Sequence, residues 1–234
     1  MHPYRPSDTV RQRVLRRMGK PFANEAIDAG RTALVVVDMQ NYFCAPGFPL
    51  EVPQSRAVVP NINRLARALR TAGGTVAWVQ TSAAGAREHW RNFETRLLAP
   101  ERLRERRAGL DEVSEGFNLY PELEALPGDL RIKKIKYSAF IQGSSDIDRQ
   151  LKARNLDTLL IAGTLTNVCC ESTARDAMML DYKVVMVADA NATLTDAEHA
   201  GALDTFMMFF GDVMDTDETI ARLVPVPAMQ ASAQ

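Results

Sequence analysis

Three residues of different chemistry, Asp38, Lys134 and Cys169, stand where segments with strand character end. Asp38 directly follows three valines, and a carboxylate at the edge of such an apolar segment is costly unless a partner stabilises its charge. Cys169 comes after a turn that contains Gly163 and Thr164, where a helical segment begins. Backbone N–H groups and the positive end of a helix dipole lower the pKa of a thiol and can bind an oxyanion. A thiol, a carboxylate base and a cation together indicate nucleophilic catalysis.

Each of these residues, taken singly, also has an ordinary structural explanation. Asp38 is suited to capping a turn at the end of a strand, and lysines on a polar strand usually face water. Cys169 and Cys170 are about 100° apart around a helix, so they cannot share one site, and both could simply pack in the core. Lys134 and Lys136 are two residues apart in an extended segment, so geometry alone does not choose between them.

Alternating strands and helices provide the framework for these residues. Short apolar runs rich in β-branched residues predict strands at 33–37, 75–79, 130–137, 159–162, 183–188 and 212–214. Helical spacing predicts helices at 10–18, 58–72, 145–155, 167–180 and 195–211, with Ser145 and Thr195 as N-caps. This βαβ order predicts an α/β fold, a three-layer α/β/α sandwich around a mostly parallel six-stranded sheet. Ligands bind such sheets beyond the carboxyl ends of the strands.

The composition excludes several classes of protein. The chain has 234 residues, 28 Lys and Arg against 29 Asp and Glu, and 46% apolar residues. Its net charge of −1 gives no reason to expect nucleic acid or an anionic membrane as a partner. No apolar run is long enough for a membrane helix, and the first residues lack the apolar core of a signal peptide. With three cysteines and no disulfide framework, we expect a cytoplasmic protein.

Two polar segments depart from the regular alternation. Residues 1–31 are Arg-rich and predict an N-terminal arm that lies on the domain or on a neighbouring subunit, and for the first ten residues the alternative is a frayed terminus. Residues 32–234 then form a single domain, within which 82–128 is a long insert. Its crowded Arg and Glu residues are typical of a solvated helix. Its position at a sheet edge also suits a lid, with Trp90, Phe93 and Phe117 as apolar anchors.

Three stretches of the chain resemble motifs of the isochorismatase-like cysteine hydrolases, in that family's order. They are Val-Val-Val-Asp-Met-Gln-Asn-Tyr-Phe at 35–43, Lys-Ile-Lys-Tyr-Ser-Ala-Phe at 134–140, and Gly-Thr-Leu-Thr-Asn-Val-Cys-Cys-Glu-Ser-Thr-Ala-Arg-Asp-Ala at 163–177. The resemblance covers roughly residues 32–223, and the third motif is the most specific. Cys170 stands where the family more often has valine.

The resemblance implies a Rossmann-like hydrolase fold and a role for each site residue. It implies Cys169 as nucleophile, Asp38 as base and Lys134, rather than Lys136, as the catalytic lysine. It also implies a cis peptide bond between Thr164 and Leu165, with the backbone N–H groups of Leu165 and Cys169 forming the oxyanion hole. Gln40, Tyr42, Phe43 and Tyr137 are candidates for contacting the substrate, and each could equally be a core or loop residue.

The same resemblance separates the branches of the family. Nicotinamidases carry an Asp-x-His metal motif after the second strand, but this chain reads Thr-Ser-Ala-Ala-Gly at 81–85 and has three histidines in all. We therefore expect no metal and no cofactor. The third motif is most similar to that of ureidoacrylate and N-carbamoyl amidohydrolases, which implies hydrolysis of a small amide or ureido C–N bond through a thioester-type intermediate. The alternatives are vinyl-ether hydrolysis of isochorismate and a catalytically silent binding domain.

The expected partners follow from composition and family together. We expect a small-molecule substrate, no nucleic acid and no membrane as ligand, and assembly of the chain into a homo-oligomer, either a dimer or a tetramer.

Overall fold

A parallel sheet of six strands runs through the computed structural model, which describes residues 1–227. The strands in chain order are β1 (Ile27–Asp28), β2 (Thr32–Val37), β3 (Thr75–Thr81), β4 (Leu130–Lys134), β5 (Thr158–Thr164), β6 (Lys183–Ala192), β7 (Asp212–Met214) and β8 (Leu223–Val224). β2 to β7 form the main sheet, and β1 pairs with β8 in a separate two-stranded one.

The helices lie between these strands. They are α1 (Asp8–Met18), α2 (Asn41–Cys44), α3 (Pro53–Thr71), α4 (Ala86–His89), α5 (Pro100–Gly109), α6 (Ile147–Lys152), α7 (Glu171–Met179), α8 (Asp196–Phe209) and α9 (Thr216–Ala221). Short 3₁₀ segments occur at Ala29–Arg31 and Glu115–Phe117, and π-helical turns at Phe93–Leu97 and Thr166–Cys170. Among the helices within residues 1–227, none is both long and apolar enough to cross a membrane.

The strand order of the main sheet is β4-β3-β2-β5-β6-β7, and every neighbouring pair is parallel. The predicted α/β sandwich is therefore confirmed. After β2 the chain adds β3 and β4 on one side of it. The chain then returns and adds β5, β6 and β7 on the other side of β2. This reversal places a topological switch point between β2 and β5, where ligands bind in sheets of this type.

Two apolar cores cover the two faces of the sheet. Successive residues of β2 alternate between them, with Leu34 and Val36 in one core and Val35 and Val37 in the other. Helix α3 contributes to the first core. Helices α1, α6, α7 and α8 contribute to the second. The three layers follow from burying both faces of a sheet rich in valine.

The main departures from the predicted elements lie at their ends. β4 stops at Lys134, three residues before the predicted end. After β4 the backbone forms hydrogen bonds with Ser144 instead of with a strand. The Ser144 carbonyl accepts the Ile135 N–H at 3.0 Å, and its hydroxyl accepts the Lys136 N–H at 3.2 Å. The expectation that Lys134 and Lys136 share one face of a strand is therefore wrong, because only Lys134 belongs to β4.

Helix boundaries also differ from the prediction. α3 begins at Pro53 rather than at 58, since proline is well accommodated in the first helical turn. α6 is shorter than predicted, and its N-cap is Asp146, so the prediction of Ser145 as N-cap is wrong. The Ser145 hydroxyl instead accepts the Ile147 N–H at 3.2 Å in a turn just before the helix. The predicted cap of α8 is observed, as a capping box between Thr195 and Glu198.

The N-terminal arm packs on its own chain. Arg17 donates to the carbonyl oxygens of Met208 and, at 3.0 Å, of Phe209 at the end of α8. The buried Asp212 carboxylate accepts the backbone N–H groups of Ala23 and Asn24 at 2.9 and 2.7 Å. These contacts join the arm to the edge of the sheet at β7.

The 82–128 insert folds over the carboxyl edge of the sheet. Trp90 and Phe93 stack with their ring centroids 3.9 Å apart, and the ring of Tyr137 meets Trp90 edge-on at 4.8 Å. Phe117 is buried, and its carbonyl accepts the side-chain amide of Gln40 at 3.0 Å. The insert is thus more than a solvated helix, because its apolar anchors cover the site region.

A buried histidine connects the arm to the turn that carries Cys169. His199 Nδ1 lies 2.9 Å from the Thr166 hydroxyl, and its ring stacks on that of His2 at 4.7 Å. Tyr4 lies edge-on to it at 6.1 Å, and Asp196 contacts His2. Burial, followed by the neighbouring His2, lowers the pKa of His199 from its ordinary 6.5 to about 4.

The lowered pKa of His199 predicts a pH-dependent loss of stability. Between pH 6.5 and 4 the unfolded chain binds this proton and the folded chain does not, so acid favours unfolding. We expect the stabilisation lost through this residue across that window to reach about 3 kcal/mol at most. Urea unfolding of wild type and His199→Asn at several pH values checks this, with the exposed His89→Asn as control. A difference in unfolding free energy between wild type and His199→Asn that stays constant with pH would contradict it.

Candidate active site

Asp38 occupies the first position after β2, at the switch point. Its backbone is left-handed, with φ of 54°, and its N–H donates to the Val79 carbonyl at 2.8 Å. A non-glycine residue in this region costs about 1 kcal/mol or more, so the surrounding structure must hold it there. The side chain is only 1% exposed, which requires a partner for the charge.

Lys134 supplies that partner from the end of β4. Its Nζ lies 2.8 Å from Asp38 Oδ2 and donates to the Thr81 hydroxyl at 2.6 Å and the Lys136 carbonyl at 3.1 Å. Burial alone would lower the pKa of Lys134, but the Asp38 carboxylate and the Cys169 sulfur outweigh it and raise the pKa above its ordinary value. The lysine therefore keeps its charge although it is buried.

Thr81 completes this pair, and the sequence reasoning missed it. β3 lies between β2 and β4, so its last residue stands between Asp38 and Lys134. The Thr81 hydroxyl donates to Asp38 Oδ1 at 2.8 Å while it accepts from Lys134. A hydroxyl residue at the end of the strand between the two charged ones was the available signal.

One oxygen of Asp38 keeps a free acceptor position. Oδ2 contacts the Lys134 ammonium, but it accepts no well-directed hydrogen bond from any side chain or backbone group of residues 1–227. A carboxylate oxygen has room for more than one partner. Asp38 Oδ2 is therefore available to accept a proton from a neighbouring thiol.

Cys169 lies in the π-helical turn Thr166–Cys170 and is 7% exposed. Burial raises the pKa of its thiol, the Asp38 carboxylate raises it further, and Lys134 lowers it. The net direction is upward, so the expectation that the helix start lowers this pKa is wrong. The desolvation of the sulfur is the largest cause, and together with the Asp38 carboxylate it outweighs the Lys134 ammonium.

The other two cysteines belong to the apolar cores. Cys170 is fully buried, its sulfur lies 4.0 Å from the Ala162 carbonyl, and burial raises the pKa of its thiol well above the ordinary range. Cys44 is also fully buried, and burial raises its pKa to about 12. Neither residue lines the cavity described below.

The turn before Cys169 joins β5 to helix α7. The peptide bond between Thr164 and Leu165 is cis, and the Leu165 carbonyl accepts the N–H groups of Val168 and Cys170, both at 3.1 Å. Gly163 precedes them with φ of 122°, and a Cβ there would lie 2.0 Å from the Val37 carbonyl oxygen. Only glycine allows β5 to approach β2 so closely at the site.

A cavity of about 430 Å³ opens beside these residues. The turn contributes Thr164, Leu165 and Cys169 to its wall, and β3 contributes Thr81. The insert forms the opposite wall through aromatic and basic residues, namely Trp90, Phe93, Arg102 and Arg106. The nucleophile candidate thus faces an enclosed space of a size that suits a small molecule.

Three of the four predicted substrate contacts line this cavity, namely Tyr42, Phe43 and Tyr137. Gln40 does not. It is fully buried, and its side chain accepts the Thr81 N–H at 2.7 Å and donates to the Thr81 and Phe117 carbonyls. The prediction of Gln40 as a substrate contact is wrong, because its side-chain amide instead forms hydrogen bonds with the backbone of Thr81 and with Phe117 of the insert. In the part of the chain that the structure describes, no three His, Cys, Asp or Glu residues are grouped as metal ligands.

Comparison with known proteins identifies relatives of the whole domain. The family model of the isochorismatase domain matches residues 32–218. A ureidoacrylate amidohydrolase from Pseudomonas savastanoi pv. phaseolicola is 34% identical over 214 residues, which cover 84% of this chain and 85% of the relative.

Solved structures give the same result for the fold. A cysteine hydrolase from Pseudomonas syringae pv. phaseolicola superposes with a TM-score of 0.73 at 31% identity, covering 88% of this chain and 98% of its own. N-carbamoylsarcosine amidase from Thermoplasma acidophilum superposes with a TM-score of 0.63 at 26% identity, covering 80% and 97%. The domain therefore has a known architecture.

The position of Thr81 predicts that its hydroxyl orients the charged pair. Thr81→Val keeps the shape but leaves a buried carboxylate and a buried ammonium each short of one hydrogen bond. We expect a loss of about 1–3 kcal/mol in unfolding free energy and a fall in kcat of about 10- to 100-fold. Urea unfolding and steady-state kinetics measure both, and Thr81→Ser should restore them. Wild-type kcat in Thr81→Val would refute this positioning role.

Proposed function

The chain belongs to the isochorismatase family of hydrolases, and from that premise we propose that it cleaves the C–N bond of a small amide or N-carbamoyl substrate, with Cys169 as nucleophile. The observation that carries the proposal is the buried Asp38–Lys134 ion pair beside the Cys169 thiol, which lines the cavity. A pair of charges this deeply buried is expensive to maintain without a catalytic use.

The first step is proton transfer from the Cys169 thiol to Asp38. The thiol is neutral at rest, because burial and the Asp38 carboxylate raise its pKa. The unused acceptor position on Asp38 Oδ2 takes the proton as the sulfur attacks. Lys134 keeps its charge throughout and stabilises the thiolate that develops.

The sulfur then attacks the carbonyl carbon of the substrate. The new C–S bond converts the carbonyl into a tetrahedral oxyanion, which the backbone N–H groups of Leu165 and Cys169 bind. Collapse of this intermediate breaks the C–N bond, and Asp38 returns its proton to the leaving nitrogen. The product is a free amine, or ammonia, and a thioester-type intermediate on Cys169.

Water completes the cycle. Asp38, ionised again, accepts a proton from a water molecule while the oxygen of that water attacks the acyl or carbamoyl carbon. The C–S bond breaks, the thiol regains a proton, and a carboxylic acid or a carbamate leaves. The packed rings of Trp90, Phe93 and Tyr137 line the cavity in which these steps take place.

The names of the relatives support a C–N bond rather than a vinyl ether as the target. Ureidoacrylate and N-carbamoylsarcosine, the compounds in those names, both carry a carbamoyl group on nitrogen. We therefore place ureido compounds first among the candidate substrates.

Ammonia release from ureidoacrylate, simple N-carbamoyl compounds and primary amides tests the proposal. We expect turnover of at least one of these classes, and a loss of at least about 1,000-fold in Cys169→Ser, since a serine hydroxyl is far harder to ionise. Cys170→Ser should stay within a few-fold of wild type, because Cys170 does not reach the cavity.

Two results would contradict this assignment. One is full activity in Cys169→Ser with loss in Cys170→Ser. The other is hydrolysis of isochorismate without hydrolysis of any amide or ureido compound, which would favour the vinyl-ether alternative.

A further inference from the structure

The insert carries a buried cation into the cavity. Arg106 of α5 is 6% exposed, and its guanidinium carbon lies 5.3 Å from the ring centroid of Phe93 and 5.8 Å from that of Trp90. The aromatic faces stabilise the charge in part but accept none of its directed N–H groups. Arg106 and Cys169 line the same cavity.

This guanidinium has no hydrogen-bond acceptor and no ion-pair partner within residues 1–227. Its Nη1 is shielded from solvent and donates no hydrogen bond, and no carboxylate of the described residues lies within ion-pair distance of the side chain. Burial accordingly lowers the pKa of Arg106. Its neighbours differ, because Arg107 is paired with the buried Glu94 and Arg102 with Glu105.

The other charged side chains of the cavity wall are also positive. Three basic side chains line it, Arg102, Arg106 and Lys136, and the described wall contains no acidic residue. Lys136 is partly satisfied, since its Nζ donates to the Gln142 carbonyl at 2.8 Å. The charge of Lys134 is already balanced by Asp38. The uncompensated charge is therefore that of Arg106, together with that of Lys136, whose ammonium donates one hydrogen bond to a neutral carbonyl.

We propose that Arg106 binds a carboxylate group of the substrate, so that the enzyme selects amides or ureido compounds that carry an acid group. A carboxylate accepts two parallel N–H groups of a guanidinium, which fills the donors that the protein leaves open. The charge of the substrate would also be balanced on entry to the cavity. This inference rests on the proposed function, since it concerns the substrate of the same site.

Paired substrates measure the effect of the acid group. Ureidoacrylate and its methyl ester share the ureido group and differ in charge. In Arg106→Gln we expect KM for the acid to rise about 10- to 100-fold while kcat/KM for the ester stays within about threefold. Arg106→Lys should recover part of the loss. Arg104→Gln, an exposed position on the same helix outside the cavity, should match wild type.

Binding without turnover separates this inference from the proposed function. Calorimetry with butyrate and butyramide on Cys169→Ser should detect binding of butyrate in preference to butyramide, and adding Arg106→Gln should remove that preference. If neither ureido compound is hydrolysed but this pattern holds, the proposed reaction fails and the carboxylate site stands.

Two outcomes would overturn the carboxylate site. Equal losses for acid and ester in Arg106→Gln would mean that Arg106 only supports the insert through its stacking on Trp90 and Phe93. Butyrate binding that is unchanged by Arg106→Gln would mean that another group holds the anion.

Discussion

A buried ion pair between Asp38 and Lys134 constrains the rest of the site. Both side chains are 1% exposed, and their charged atoms lie 2.8 Å apart. Removing either charge would leave the other uncompensated in a dry environment, which costs several kcal/mol. The Thr81 hydroxyl and the Lys136 carbonyl complete the hydrogen bonding, so the ends of β2, β3 and β4 must converge within hydrogen-bond distance. The parallel strand order β4-β3-β2 provides that convergence.

The switch in strand order brings the thiol to the pair, and the insert closes the space around it. β5 lies beside β2 because Gly163 permits the close approach, and the turn that follows presents Cys169. The insert then adds an aromatic wall, with Trp90 stacked on Phe93. Enclosure strengthens the electrostatic interactions inside the site. The same packing buries Arg106 among the rings, with no carboxylate partner within residues 1–227.

The fold could be predicted from the sequence, because the periodicity of apolar residues locates strands and helices, and strand ends in parallel sheets meet at one edge. The choice of Lys134 over Lys136 came from the resemblance to the isochorismatase-like hydrolases, since periodicity placed the end of β4 three residues too late. Thr81 and Arg106 could not be identified, since their importance depends on neighbours that only the packing brings together. The direction of the thiol pKa was missed for a related reason, because the helix start is visible in the sequence but the burial of the sulfur is not. Polar composition favoured a solvated insert over a lid, whereas the aromatic residues named for the lid alternative, Trp90, Phe93 and Phe117, are the ones that pack in the structure.

The pH dependence of iodoacetamide alkylation at Cys169, read by mass spectrometry, tests most directly whether the ion pair activates the thiol. The Lys134 ammonium lowers the pKa of this buried thiol, so Lys134→Met should shift the alkylation profile to higher pH. We expect the rate at neutral pH to fall at least about tenfold, whereas Lys136→Met, folded equally by circular dichroism, should keep the wild-type profile. An unchanged profile in Lys134→Met would contradict the account.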